Sequence, residues 1–214
     1  MKINNVVVIG SGTMGSGIAA QLCNANIPVT LLDLKTEISE KARETIFNSR
    51  PPLLLNKSKI ENIKIGNISD DFGFVKEADW IVEAVVERID IKHNLYERIF
   101  KERKEGSIVS SNTSSIPIKV LAQNLFEKDK KDFCITHFFN PVRYTGLLEI
   151  VKNNDNDIEK INFLKNFCET FLGKGVIICN DTPGFLGNRV GVYAMQVAMT
   201  EAIKMKLSVE EADA

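Results

Sequence analysis

His137 stands in the stretch Thr136-His137-Phe138-Phe139-Asn140-Pro141, at the end of an apolar run and just before a polar turn. It is one of two histidines in the chain. A carboxylate, Glu149, follows in the next apolar segment. Imidazole is the natural proton acceptor near neutral pH, and a carboxylate on its other ring nitrogen fixes the tautomer and stabilises the imidazolium. When a hydride leaves a carbinol carbon, the hydroxyl proton must leave as well. A pair of this kind suits that chemistry, although a structural salt bridge uses the same residues. His93 lies in a charged helical pattern and reads as solvated.

A hydride needs an acceptor, and the other end of the chain offers a place for one. Val6-Val7-Val8-Ile9 runs into Gly10-Ser11-Gly12-Thr13-Met14-Gly15. This is a strand, then G-x-G-x-x-G, then a helix. Gly10 permits the tight turn, Gly12 lets backbone approach a pyrophosphate, and Gly15 lets helix pack closely on strand. Thr13 and Met14 open the helix, whose free N–H groups and partial positive charge suit phosphates. Asp33 ends the following strand, where a carboxylate bonds ribose hydroxyls and repels a 2′-phosphate. NAD is therefore expected over NADP, with Lys35 weakening the preference slightly.

Two further stretches sit where ligands of an open parallel sheet lie, beyond strand carboxyl ends. Ser110-Ser111-Asn112-Thr113-Ser114-Ser115 follows one strand, and Glu87 follows another taken to end at Val86. Ser115 reads equally well as a helix cap, and Lys92 as a solvated surface lysine. Asn180-Asp181-Thr182-Pro183-Gly184-Phe185 leads into a helix whose first turn holds Asn188, which could face the site.

The elements that must position these groups alternate. Strands are expected at 4–9, 28–33, 63–65, 79–86, 107–111, 133–138, 147–151 and 175–179. Helices are expected at 14–25, 36–49, 56–61, 90–103, 117–125 and 157–172, with a turn at Gly66-Asn67. Alternation with short links argues for a doubly wound α/β domain over residues 1–183. The last strands lack long crossovers, so part of that edge is expected to be antiparallel. Beyond Gly184, residues 185–206 form one long helix that is apolar almost all round and expects burial on every side. Ser208 and Glu211 make a capping box that opens another helix. Residues 184–214 thus read as the start of a helical second domain, cut short.

Composition sets bounds. With 214 residues, 44% apolar and 26% charged, the chain is ordinary for a globular protein. A net charge of −1 gives no overall field toward nucleic acid or anionic membrane. No run approaches the ~20 apolar residues of a membrane span. Cys23, Cys134, Cys168 and Cys179 show no metal-ligand spacing and read as buried thiols of a reducing cytosol.

Taken together, GSGTMG, VEAVVE at 82–87, SNTSS at 111–115, HFFNP at 137–141 with Glu149, and NDTPGFLGNR at 180–189 closely resemble 3-hydroxyacyl-CoA dehydrogenase, in order and over essentially the whole chain. The resemblance implies a Rossmann-like sheet with an irregular far edge, followed by an all-helical dimerisation domain. It implies NAD-dependent oxidation of (S)-3-hydroxyacyl-CoA to 3-ketoacyl-CoA in β-oxidation, or the reverse, in the cytoplasm, with homodimers formed through the helical domain. By position, His137 matches the catalytic base and Glu149 its partner. Ser114 and Asn188 match contacts to the reacting oxygen. Glu87, Lys92, Ser114 and Asn140 match contacts to the nicotinamide half of NAD, and Asp33 the adenosine ribose. Ser49 corresponds to a CoA-contacting serine of the family's helical hairpin. That hairpin looks shorter here, and Arg143-Tyr144-Thr145 replaces the usual residues after HFFNP. These departures resemble a branch in which the module belongs to a larger fatty-oxidation protein, with a hydratase domain. A dehydrogenase cut short in its helical domain should keep NAD binding but turn over acyl-CoA poorly.

Two rivals remain at this stage. A β-hydroxyacid dehydrogenase of the 6-phosphogluconate or 3-hydroxyisobutyrate kind shares the fold but uses a catalytic lysine. The other is a non-catalytic dinucleotide-binding structural or sensor protein, against which the intact His137 and Glu149 pair argues.

Overall fold

A computed structural model describes residues 1–213. Its first half is a βαβ series. β1 (Val6–Ile9) leads through the glycine loop to α1 (Thr13–Asn24), then β2 (Val29–Asp33) and α2 (Thr36–Asn48). A 3-10 turn at Lys57–Asn62 precedes β3 (Ile63–Asn67), and another at Phe72–Lys76 precedes β4 (Trp80–Glu83). Then come α3 (Ile89–Glu102), β5 (Ile108–Ser111), the short α4 (Ile118–Leu121) and α5 (Glu127–Lys130), and β6 (Phe133–Phe138). The series closes with β7 (Leu147–Val151), α6 (Ile158–Thr170), β8 (Gly175–Cys179), α7 (Gly187–Lys204) and α8 (Val209–Asp213).

The eight strands form one sheet in the order β3-β2-β1-β4-β5-β6-β7-β8. Every neighbouring pair is parallel except β6 with β7. The expected antiparallel edge is thus a single reversal, after which β8 runs parallel to β7. The inner strands β1, β4, β5 and β6 are buried along their whole length. Two apolar layers cover the sheet. One holds Val6, Val8, Ile18, Leu31, Trp80 and Phe167, the other Val7, Ile9, Phe72, Tyr96, Ile99 and Phe133. Buried polar atoms on the central strands are paired: the Trp80 indole donates to Ser110 Oγ at 2.9 Å, which lies 2.8 Å from Thr136 Oγ1. The four cysteines are free and buried.

Several expectations need correction. The strand taken to reach Val86 stops at Glu83, because the Val85 amide turns back to donate to Glu83 Oε1 at 2.8 Å. Gly66 and Asn67 finish β3, and the turn follows them: Asn67 Oδ1 accepts from the Ser69 and Asp70 amides. The helix expected over 117–125 is one turn, Ile118–Leu121, and the chain then bends so that Leu125 is buried while Phe126 is exposed. His93 is half-buried, with Nε2 2.9 Å from the Val120 carbonyl and Asn124 at its other nitrogen.

The largest departure concerns α7. Its apolar periodicity predicts burial on every side, yet none of its residues is buried. Val190, Val192, Tyr193, Met195, Met199 and Ile203 are all more than half exposed. Contact with the body is confined to its start, where Phe185 is buried and Gly187 packs on Phe139 and Leu147. The helix leaves the surface within a turn. Ser208 and Glu211 do form the expected reciprocal cap, at 2.8 and 3.2 Å. No helix among the described residues is long and apolar enough to cross a membrane.

Candidate active site and dinucleotide cleft

β1 lies between β2 and β4, so the connections from its region leave toward opposite sides and open a crevice at its carboxyl end. The glycine loop fills that position. Gly10 has φ of +98°, and a Cβ there would meet the Ala84 carbonyl oxygen at 2.5 Å. At Gly15 a Cβ would meet the Gly10 oxygen at 1.8 Å. Both glycines are therefore dictated by chain packing alone. Gly12 differs: a Cβ there meets nothing within 4 Å, and the residue is exposed beside Thr13 at the start of α1. No side chain caps α1. An open space above an uncapped helix start is what a pyrophosphate requires.

Asp33 reaches this loop. Its Oδ2 accepts from the Ser11 amide at 2.6 Å and the Ser11 hydroxyl at 2.7 Å, and its Oδ1 from the Leu34 amide at 2.7 Å. A carboxylate offers about four acceptor positions. Asp33 thus braces the glycine loop and has about one acceptor position left unfilled. A cleft of about 570 Å³ opens beside it, lined by the glycine loop, Leu34, Ile38, Val86 and Arg98. Arg98 escaped the sequence reading. It donates to the Ile68 carbonyl at 2.6 Å and lies 3.7 Å over the Phe72 ring.

A second cleft, of about 400 Å³, shares Ala84 and Val85 with the first. It brings together Met14, Glu87, Lys92, Ser114, His137, Asn140 and Asn188. Ser49 is not among its walls. Its hydroxyl donates to the Ile46 carbonyl and accepts from the Leu53 amide, finishing α2.

The pair of His137 and Glu149 follows from the one antiparallel register. The two residues are direct partners across β6 and β7, with Nδ1 2.7 Å from Oε2. Both are buried. Glu149 Oε1 points the other way and accepts from the Leu186 amide at 2.9 Å and the Gly187 amide at 2.6 Å. The Cys179 thiol stands 3.8 Å away. Burial and the Glu149 charge push that thiol up to about 11, so it stays protonated. The His137 ring is flanked by Phe139, at 4.3 Å between centroids, and by Phe185, at 5.6 Å. With Nδ1 bound to a carboxylate, Nε2 is the nitrogen left for the cleft.

A third carboxylate was not foreseen. Glu83 is fully buried, and every contact it makes is with a donor: Lys92 Nζ at 2.6 Å, the Tyr96 hydroxyl at 2.5 Å, the Ser111 hydroxyl at 2.7 Å and the Val85 amide. Burial and the negative charge of Glu83 push the Tyr96 phenol well above its ordinary value, which keeps it a donor. Lys92, which reads either as a solvated surface lysine or, by the resemblance, as a contact to the nicotinamide half of NAD, is 1% exposed and also pairs with Glu87 Oε2 at 3.1 Å. Glu87 Oε1 accepts from the Thr113 hydroxyl, the Ser114 amide and, at 3.3 Å, the Ser115 hydroxyl. Partial burial pushes the Glu87 carboxyl up, but the Thr113 hydroxyl and Lys92 ammonium, with the Ser114 amide, more than offset this and hold it below the usual carboxylate range. Thr113 also caps the next turn, its hydroxyl accepting from the Ser115 and Ile116 amides.

A doubly wound sheet, a glycine-rich crevice at the strand-order reversal and a buried His–Glu pair in the adjoining cleft define an α/β domain of the dinucleotide-binding class. The 3-hydroxyacyl-CoA dehydrogenase, NAD binding domain, model matches residues 5–182, and the chain belongs to that family. It is 39% identical over 220 residues to a probable 3-hydroxyacyl-CoA dehydrogenase of Deinococcus radiodurans, covering 100% of this chain and 64% of that one. It is 41% identical over 213 residues to a putative fatty acid oxidation complex trifunctional enzyme of Rickettsia felis, covering 96% of this chain and 30% of that one. Among solved structures, (S)-3-hydroxybutyryl-CoA dehydrogenase from Ralstonia eutropha superposes with a TM-score of 0.87 at 28% identity, covering 98% of this chain and 75% of that one. The chain thus spans less than two thirds of the length of these curated relatives.

Proposed function

We infer that this chain carries out the dehydrogenase step on a 3-hydroxyacyl thioester, oxidising (S)-3-hydroxyacyl-CoA to 3-ketoacyl-CoA or catalysing the reverse. The observation that carries the reading is the pair of His137 and Glu149 at 2.7 Å, opening on a cleft continuous with the glycine loop. The residues present suit NAD: Gly12 leaves room for a pyrophosphate, and Asp33 keeps an acceptor for a ribose hydroxyl. When bound, NAD supplies the hydride acceptor.

The chain's own residues do the rest. Glu149 accepts a hydrogen bond from Nδ1–H of His137 and so leaves the Nε2 lone pair facing the cleft. That nitrogen removes the hydroxyl proton as the carbonyl forms, and Glu149 stabilises the imidazolium. In reverse, the imidazolium returns the proton. Ser114 and Asn188 line the same cleft, and in this reading they hydrogen-bond the reacting oxygen. Phe139 and Phe185 keep water from the ring's flanks. A lysine-dependent mechanism finds no support, because Lys92 is the lysine on this cleft and two carboxylates hold it.

The test is an assay with both enantiomers of 3-hydroxybutyryl-CoA and NAD. NADH should form from the (S) form alone. Turnover of a free 3-hydroxy acid in place of the thioester would defeat the reading.

A further inference from the structure

Hydride and proton leave the same C–O unit, so the nicotinamide ring must lie within a few ångström of the proton acceptor. On the reading just given, that places it in the cleft beside His137. The lining of that cleft, which includes Glu87 and Lys92, carries an unbalanced charge. Lys92 is shared by two carboxylates, Glu83 at 2.6 Å and Glu87 at 3.1 Å. Glu83 meets only donors, which is the pattern of an ionised carboxylate. Glu87 is held ionised by its neighbours. Two negative charges on one positive charge leave the trio at −1. Lys92 and Glu83 are almost wholly buried, so salt screens them little.

The oxidised nicotinamide ring carries a formal positive charge and the reduced ring carries none. We propose that the trio of Glu83, Lys92 and Glu87 is a redox-state selector, which binds NAD+ in preference to NADH through its net negative charge. The rest of the cofactor is common to both forms, so contacts to pyrophosphate and adenosine do not contribute to the difference. By linkage, the same free energy makes bound NADH a stronger hydride donor than free NADH. It also lets NAD+ displace NADH from the domain.

The experiment measures the dissociation constants of NAD+ and NADH by calorimetry at low ionic strength and takes their ratio. Glu87→Gln and Glu83→Gln each remove a negative charge and should weaken NAD+ relative to NADH, by roughly fivefold each. Lys92→Met removes the positive charge and should move the ratio the other way. Opposite signs for acid and base variants are what charge selection requires and what general loosening of the site would not produce. Glu83 is buried and its variant can fail to fold; the Glu87 side chain is 39% exposed, and its variant decides the matter alone. A ratio unchanged within about twofold for Glu87→Gln, or moved the same way by Glu87→Gln and Lys92→Met, overturns the proposal while leaving NAD use intact. If the unmodified chain bound neither form, the proposal and the functional reading beneath it would fall together.

Discussion

His137 and Glu149 face each other across the only antiparallel strand pair of the sheet, Nδ1 to Oε2 at 2.7 Å. Direct cross-strand partners point to the same face of a sheet, which brings the two side chains together. Replacing His137 with Gln should lower turnover by roughly 10²–10⁴-fold while NAD affinity stays nearly constant. Steady-state assay with acetoacetyl-CoA and NADH, beside calorimetry with NAD, checks both halves. Near-normal turnover would remove His137 from the mechanism.

Glu149→Gln and Glu149→Ala should behave differently. Gln keeps an oxygen that can accept from the Leu186 and Gly187 amides, but it presents an amide to His137 in place of a charge. Turnover should fall by about 10²-fold or more in both. Hydrogen exchange at the start of α7 should stay slow in the Gln variant and speed up in the Ala variant. Equal exchange in both would mean that the carboxylate does not hold the helix.

Ser114→Ala and Asn188→Ala should each lower the chemical rate by roughly 10-fold or more with little change in NAD affinity. Single-turnover kinetics separates the two. A loss confined to NAD binding would exchange their roles.

Asp33→Ala should weaken NAD by roughly tenfold and erode the preference over NADP, since a charged acceptor for the ribose is lost. It should also loosen the glycine loop, because Ser11 donates to Asp33 twice. Equal affinity for NAD and NADP in the unmodified chain would refute the assignment.

Acid should act partly through Glu87. Its folded value is lowered, so its contribution to stability is complete above the ordinary carboxylate value of 4.5 and is lost as pH falls below that through the lowered value. Glu87→Gln should flatten the acid limb of thermal stability in this window. An unchanged acid limb would show that the hydrogen bonds to Glu87 do not contribute.

Much of this architecture could be read from sequence, and the failures share a cause. β6, β7 and β8 match their expected bounds because each is a short apolar run between turn residues. The glycine loop and the His–Glu pairing were legible because their chemistry is local or fixed by one register. Glu83 was not legible, and neither was the burial of Lys92. A carboxylate in a strand and a lysine on a helix normally face water. Here each buries the other, with Tyr96 and Ser111 brought in from α3 and β5. The Val85 amide, which turns back to the same carboxylate, ends β4 early. The packing of α7 failed for a different reason: apolar periodicity says that a face wants cover, but not what covers it. A chain of these 214 residues should therefore self-associate through α7, and light scattering over a dilution series should show mass rising with concentration.

The hydrogen bonds to Glu149 have a practical corollary for anyone excising the NAD-binding module. The family match ends at residue 182, and the turn at Pro183 invites a cut there. Such a piece would retain every strand of the sheet and the whole glycine loop. It would lose Phe185 from beside the imidazole, and both amides that complete Glu149. The smallest self-sufficient unit therefore runs to at least Asn188, past the point where the strands end.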